Sequence, residues 1–154
     1  MAQLTEKQYY QLRSKNAKDK AFKTPAALIE ACNAYFEWCL DNPLIEEKVF
    51  QHQGRAVTAD VKITRPFTLE GLCNYIDLST QGFKEYESEE AFSPVVARIR
   101  QIIETQQFEG VAAGLFNANI IARKLGLTEK KDTGEGLVKS FFDFLKETSA
   151  NYDH

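Results

Sequence analysis

The sequence predicts a mainly α-helical fold: a helix-turn-helix core, a β-hairpin inserted before it and a long helical pair after it. Three observations carry this reading. Apolar residues recur at spacings of three and four along most of the chain. The period drops to two between about residues 45 and 65. Two short helical segments within 68–87 meet at a tight polar turn.

Residues 1–24 form a polar, basic arm in which Lys7, Arg13, Lys15, Lys18, Lys20 and Lys23 outnumber Glu6 and Asp19. Tyr9, Tyr10 and Leu12 give it some helical order. Thr24-Pro25 then opens the first strong helix, threonine as the N-cap and proline at the first helical position. Leu28, Ala31, Cys32, Tyr35, Trp38 and Cys39 predict its buried face, and Asn42-Pro43 its end. Val57, Ala59, Val61 and Ile63 alternate with polar residues, which predicts a half-buried strand. Lys48–Gln51 is the expected partner and His52–Arg55 the turn.

In the helix-turn-helix, Leu72 and Ile76 pack the first helix and Leu78 plugs the space between the two. Ser79 caps the second helix, while Phe83 and Tyr86 anchor it. Thr80, Gln81 and Lys84 are left facing outward, where a recognition helix meets base edges in a major groove. Asp77 holds the turn position usually given to glycine and tolerates the left-handed conformation. Ser93-Pro94 repeats the N-cap signal and starts a helix carrying Val96, Ile99, Ile102 and Ile103. A further helical stretch from Phe108 to Ile121 is interrupted by Gly110 and Gly114, which predicts a kink or a close helix approach. Ala112, Ala113, Gly114 and Ala118 would allow that approach, within the subunit or between subunits. Leu125-Gly126-Leu127 reads as a glycine-terminated helix end. Residues 132–154 comprise a glycine-containing linker and an amphipathic helix with Leu137, Phe141, Phe144 and Leu145 on its apolar face. The core therefore spans 25–131.

The bulk properties narrow the function. A net charge of -3 argues against coating nucleic acid by charge alone, so DNA binding must rest on local geometry and on the basic arm. Three cysteines and two histidines without metal-ligand spacing suggest neither a disulfide framework nor a zinc site. No apolar run suits a signal peptide or a bilayer span. No glycine-rich phosphate loop and no triad pattern is present, so an enzyme is not expected and no cofactor is called for. Ile121–Thr128 resembles the start of a second helix-turn-helix, but the residues after it supply no apolar anchor.

Together these features resemble the small terminase subunits of tailed bacteriophages over roughly residues 25–131. The resemblance rests on the element order ending in Ile76-Asp77-Leu78-Ser79-Thr80-Gln81-Gly82-Phe83, on the helical pair after Ser93-Pro94, and above all on Gly114–Lys130. It implies a homo-oligomeric ring in the host cytoplasm that recognises double-stranded viral DNA for packaging. It also implies regulation of a separate large subunit that carries the ATPase and nuclease. The family's DNA-reading positions map onto Ser79, Thr80, Gln81 and Lys84, with Lys15, Lys18, Lys20 and Lys23 available for phosphates. The apolar tail would then dock on the large subunit or fold back on the ring. The alternative is a transcription regulator that binds a palindromic operator as a dimer.

Overall fold

The computed structural model describes residues 3–14 and 22–126. The chain groups into a unit Met1–Ile121 and a second, Ala122–His154, of which residues 122–126 are described.

The arm begins with a short helix, α1 (Glu6–Tyr9), held by a reciprocal capping box between Thr5 and Gln8. Tyr9 is buried, and the Trp38 indole N–H donates to the Leu4 carbonyl at 2.5 Å. The first part of the arm is thus fastened to the core. Helix α2 (Pro25–Asp41) starts and stops where its signals predict: Thr24 Oγ1 accepts from the Ala27 N–H, and Asn42 closes it. Leu28, Cys32, Tyr35, Trp38 and Cys39 are its buried stripe.

Two nine-residue strands follow, β1 (Leu44–His52) and β2 (Arg55–Ile63), paired antiparallel from Leu44 opposite Ile63 to His52 opposite Arg55. The connection is two residues, Gln53-Gly54, both at positive φ (50° and 75°), the tight turn that suits the strand twist. The first strand is longer, and the turn shorter, than the sequence predicts. A larger difference is burial. All of β1 is exposed, and in β2 only Val61 and Ile63 are even half-buried. Alternation reports which side chains share a face, not that a core lies against it. The core space is filled by helices.

After the ribbon, Gln106 and Gln107 clamp the chain at residues 65–67. Gln106 Oε1 accepts from the Phe67 N–H, and Gln107 Nε2 donates to the Phe67 carbonyl. Helix α3 (Leu69–Ile76) is capped by Thr68 and ends at Asp77, which takes the left-handed conformation (φ 59°, ψ 45°). Leu78 is buried in the turn, and Ser79 Oγ accepts from the Gly82 N–H to start α4 (Thr80–Glu87). Phe83 and Tyr86 bury the inner face of α4 in the same core as Leu72, Trp38 and Val96.

Helix α5 (Ser93–Ala112) differs from expectation at both ends. Phe92, not Ser93, occupies the capping position, and no side chain caps the helix. The turn after α4 already delivers the chain in helical geometry, with Ser93 N–H bonded to the Glu89 carbonyl. At the other end α5 runs through Gly110 without a break. The Phe116 ring folds back over the place where a Cβ at Gly110 would sit, so that glycine serves a local turn. The helix stops at Gly114 (φ 72°). A seven-residue helix, α6 (Ala118–Lys124), follows. The helical pair is therefore one long helix and one short one. The small residues Ala112, Ala113, Gly114 and Ala118 are exposed in the single chain, not packed between its described helices. Gly126 takes the left-handed conformation (φ 70°) expected of a helix end.

Distant segments converge on Arg65. Only 5% exposed, it donates to the Asn42 carbonyl, to Tyr10 Oη and to Glu6 Oε1. Its guanidinium lies 5.0 Å from the Trp38 ring centroid. Burial opposes its charge, but the bonds to Tyr10 and Glu6 outweigh burial and hold its pKa above the usual value. Arg65 therefore ties α1 and the end of α2 to the base of the ribbon.

Candidate nucleic-acid interface

The outer face of α4 follows from its inner one. With Phe83 and Tyr86 turned into the core, helical spacing leaves Thr80, Gln81 and Lys84 exposed. Ser79 sits half-buried at the amino end, its hydroxyl engaged in the cap. These four sequence-predicted residues thus lie on one short helix, three of them open to solvent. Around them the charge is mixed. Glu85, Glu87 and Glu90 are exposed nearby, and Glu87 is bridged by Arg100 at 3.1 Å.

The basic residues divide. Lys23 is exposed. Lys15, Lys18 and Lys20 lie outside the described residues, but the chain on either side of 15–21 is anchored to α3 and α4. Arg13 donates through its guanidinium to the Asn74 and Tyr75 carbonyls, at the carboxyl end of α3, where helix partial charge is negative. Phe22 donates its N–H to Tyr86 Oη at 2.9 Å. Arg13, counted among the arm's positive charges, is thus used within the fold. The sequence gives no local sign of this, because both carbonyls are 61 or more positions away. Leu137, Phe141, Phe144 and Leu145 also fall outside the described residues.

Cys32, Cys39 and Cys73 are buried and unpaired, as helical spacing predicts for the first two. Burial pushes the Cys39 thiol up to about 11 and those of Cys32 and Cys73 up to about 12, which keeps all three protonated and poor nucleophiles. Among the described residues no cluster of His, Cys, Asp or Glu could hold a metal, and no helix is long and apolar enough to cross a membrane.

Comparison with known proteins identifies the lineage of this arrangement. A family model described as DNA-packaging protein gp3 matches residues 17–133. The chain is also 42% identical over 122 residues to the small terminase subunit of Salmonella phage P22, a match that covers 79% of this chain and 75% of that protein. The matched stretch runs from inside the basic arm through the ribbon, the short helices and α6, the region on which the resemblance in sequence pattern rests. The two-helix turn, its outward polar face and the shared 122 residues lead to one conclusion: the chain belongs to the phage small terminase subunits and has a role in viral DNA packaging.

Proposed function

We propose that this chain is the DNA-recognising, regulatory subunit of a viral packaging machine and that it acts as a homo-oligomer larger than a dimer. In this reading α3 and α4 form a helix-turn-helix. Thr80, Gln81 and Lys84 read base edges, with Ser79 holding the helix end against the backbone. The supporting observation is that α4 exposes these three side chains while Phe83 and Tyr86 fix the helix from behind. Lys15, Lys18, Lys20 and Lys23 supply phosphate contacts. The anchors at Arg13 and Phe22 favour this, since both are made on the helices that carry the reading face. The acidic residues after Lys84 weaken any single copy, and several copies on one DNA offset this through high effective concentration. The subunit is not itself catalytic. It acts on a large subunit that holds the ATPase and nuclease, through Leu137, Phe141, Phe144 and Leu145.

Fluorescence anisotropy with a packaging-site duplex and a scrambled one tests the reading. Deleting the arm is unsuitable, because Tyr9 is part of the core packing and the Leu4 carbonyl accepts from Trp38. Replacing Lys15, Lys18, Lys20 and Lys23 by Gln should weaken binding to both duplexes and lower the salt slope by about 0.9 for each phosphate that is no longer neutralised. Thr80→Ala, Gln81→Ala and Lys84→Ala together should reduce preference for the packaging site by about tenfold or more, because a base contact contributes about 1–3 kcal/mol. Unchanged preference in the triple variant removes α4 as the reading helix. A twofold assembly on the packaging site would remove the reading of an oligomer larger than a dimer.

A further inference from the structure

The ribbon has two unlike faces. Leu44, Glu46, Lys48, Phe50 and His52 share one face with their partners Ile63, Val61, Ala59, Val57 and Arg55. Six of those ten side chains are apolar, and Glu46 and Lys48 pair with each other at 3.3 Å. On the opposite face Glu47 stands directly across from Asp60, a like-charge pair that water must screen. Phe50 and Val57, facing each other near the tip, are each 48% exposed. A two-stranded ribbon alone is marginal in water, so the apolar face calls for a cover.

A matching surface lies between α2 and α5. Ile29, Phe36, Val95, Ile99 and Ile102 line an open apolar groove of about 270 Å³. It is smaller than the clefts that take drug-sized ligands, and Asn33 and Arg98 are the polar side chains in its lining. Beside it along α5 lies a second hollow, lined mainly by polar residues, that shares Arg98 and Ile102 with it and reaches Glu109. From Pro94 to Glu109 that strip is about 22 Å long, against about 30 Å for the ribbon. Charges also match at both ends. Arg98 and Glu109 are about 16 Å apart along α5, and Glu46 and the Arg55 end of the ribbon about 20 Å.

We propose that the apolar face of the β1–β2 ribbon docks in the α2–α5 groove of a second copy of this chain, with Glu46 toward Arg98 and Arg55 toward Glu109. Donor and acceptor surfaces are different parts of one molecule. The contact is therefore heterologous and repeats from copy to copy, closing a ring when the rotation allows. This deepens the oligomer reading above and rests on it.

The test is molar mass by light scattering on the full chain, alone and in mixtures. The wild type should exceed a dimer. Phe50→Asp with Val57→Asp should be monomeric with unchanged helical circular dichroism, and so should Ile29→Asp with Val95→Asp. Mixed in equal amounts, the two should stop at a one-to-one heterodimer, since one intact ribbon and one intact groove remain. A ribbon variant that assembles like the wild type overturns the docking and leaves the oligomer reading standing. A monomeric wild type removes both. A mixture that stays monomeric means the ribbon meets something other than the groove, and also overturns the proposal. Should either double variant lose helical signal, Glu46→Arg and Arg98→Glu take their place. Each alone should raise the half-assembly concentration several-fold and their combination should restore it, and unchanged assembly in both single variants is contradictory. Truncation after Lys131 should keep wild-type assembly, and a monomer there would assign the groove to the tail instead.

Discussion

The helical body and the ribbon solve opposite problems. In the body, side chains from α1 to α5 close over one another: Trp38, Leu72, Phe83 and Val96 are completely buried, and even the Arg65 guanidinium is enclosed, reaching out to an exposed Glu6. In the ribbon the backbone bonds are complete but the side chains have almost no cover. Eighteen residues in a two-strand ladder would not be kept in that form by their own stability. The difference teaches that the body closes its core within one copy, whereas the ribbon leaves its side chains open, as the proposed docking on a second copy requires.

Substitutions can break that comparison. The largest effect belongs in the body. Trp38→Ala removes a fully buried indole, its bond to the Leu4 carbonyl and its stacking on Tyr9 and Arg65, and should cost about 3–5 kcal/mol in urea unfolding. A loss below about 1 kcal/mol would mean that the body is less closed than described. Next comes Arg65→Ala, at about 2 kcal/mol, since Glu6 remains largely exposed and the loss is chiefly packing, cation–π attraction and the Asn42 bond. Its mark should be local: proteolysis within residues 3–14 before the body unfolds. Arg65→Lys should not restore protection, because an ammonium cannot present the same planar fork.

Alkaline pH gives a smaller effect near neutrality that grows with pH. Burial raises the three thiols to about 11 or 12 and Tyr9 to about 12, from ordinary values of 9.0 and 10.0. Folded chains keep protons that unfolded chains release. The contribution is therefore full below about pH 9 and declines as pH rises toward 11 and 12. Tm under reducing conditions should hold level from pH 7 to about 9 and then fall. A flat profile to pH 10.5 would contradict the burial of these groups. The smallest effect is expected in the ribbon, where Val57→Asp should change the stability of the helical body by no more than about 0.5 kcal/mol.

How much of the fold is legible in the sequence depends on distance along the chain. Local signals work where partners are near: Thr24-Pro25 and Asn42-Pro43 bracket α2, and Ser79, Phe83 and Tyr86 place α4 and its outward face. Asp77 carries the left-handed turn because its side chain tolerates it. Local signals fail where contacts join remote positions. Nothing beside Arg65 in the sequence marks it as enclosed, because Glu6 and Tyr10 are 59 and 55 positions away. Gly110 reads as a kink because nothing in its own helix announces that Phe116 will fold over it. The ribbon reads as half-buried because an apolar face left open and one packed on the core alternate in the same way. Thr80, Gln81 and Lys84 lie exposed on α4, as helical spacing predicts, whereas the arm's Lys15, Lys18 and Lys20 and the tail's apolar residues rest on sequence spacing alone.

Hydrogen exchange, followed residue by residue in the wild-type assembly and in the Phe50→Asp, Val57→Asp variant, tests the contrast between body and ribbon most directly. The account predicts slow exchange for α2 and α5 amides in both samples. Amides of Leu44–His52 and Arg55–Ile63 should be protected only in the assembly. Ribbon amides that exchange equally fast in both samples, or that stay protected in a monomer, would contradict it.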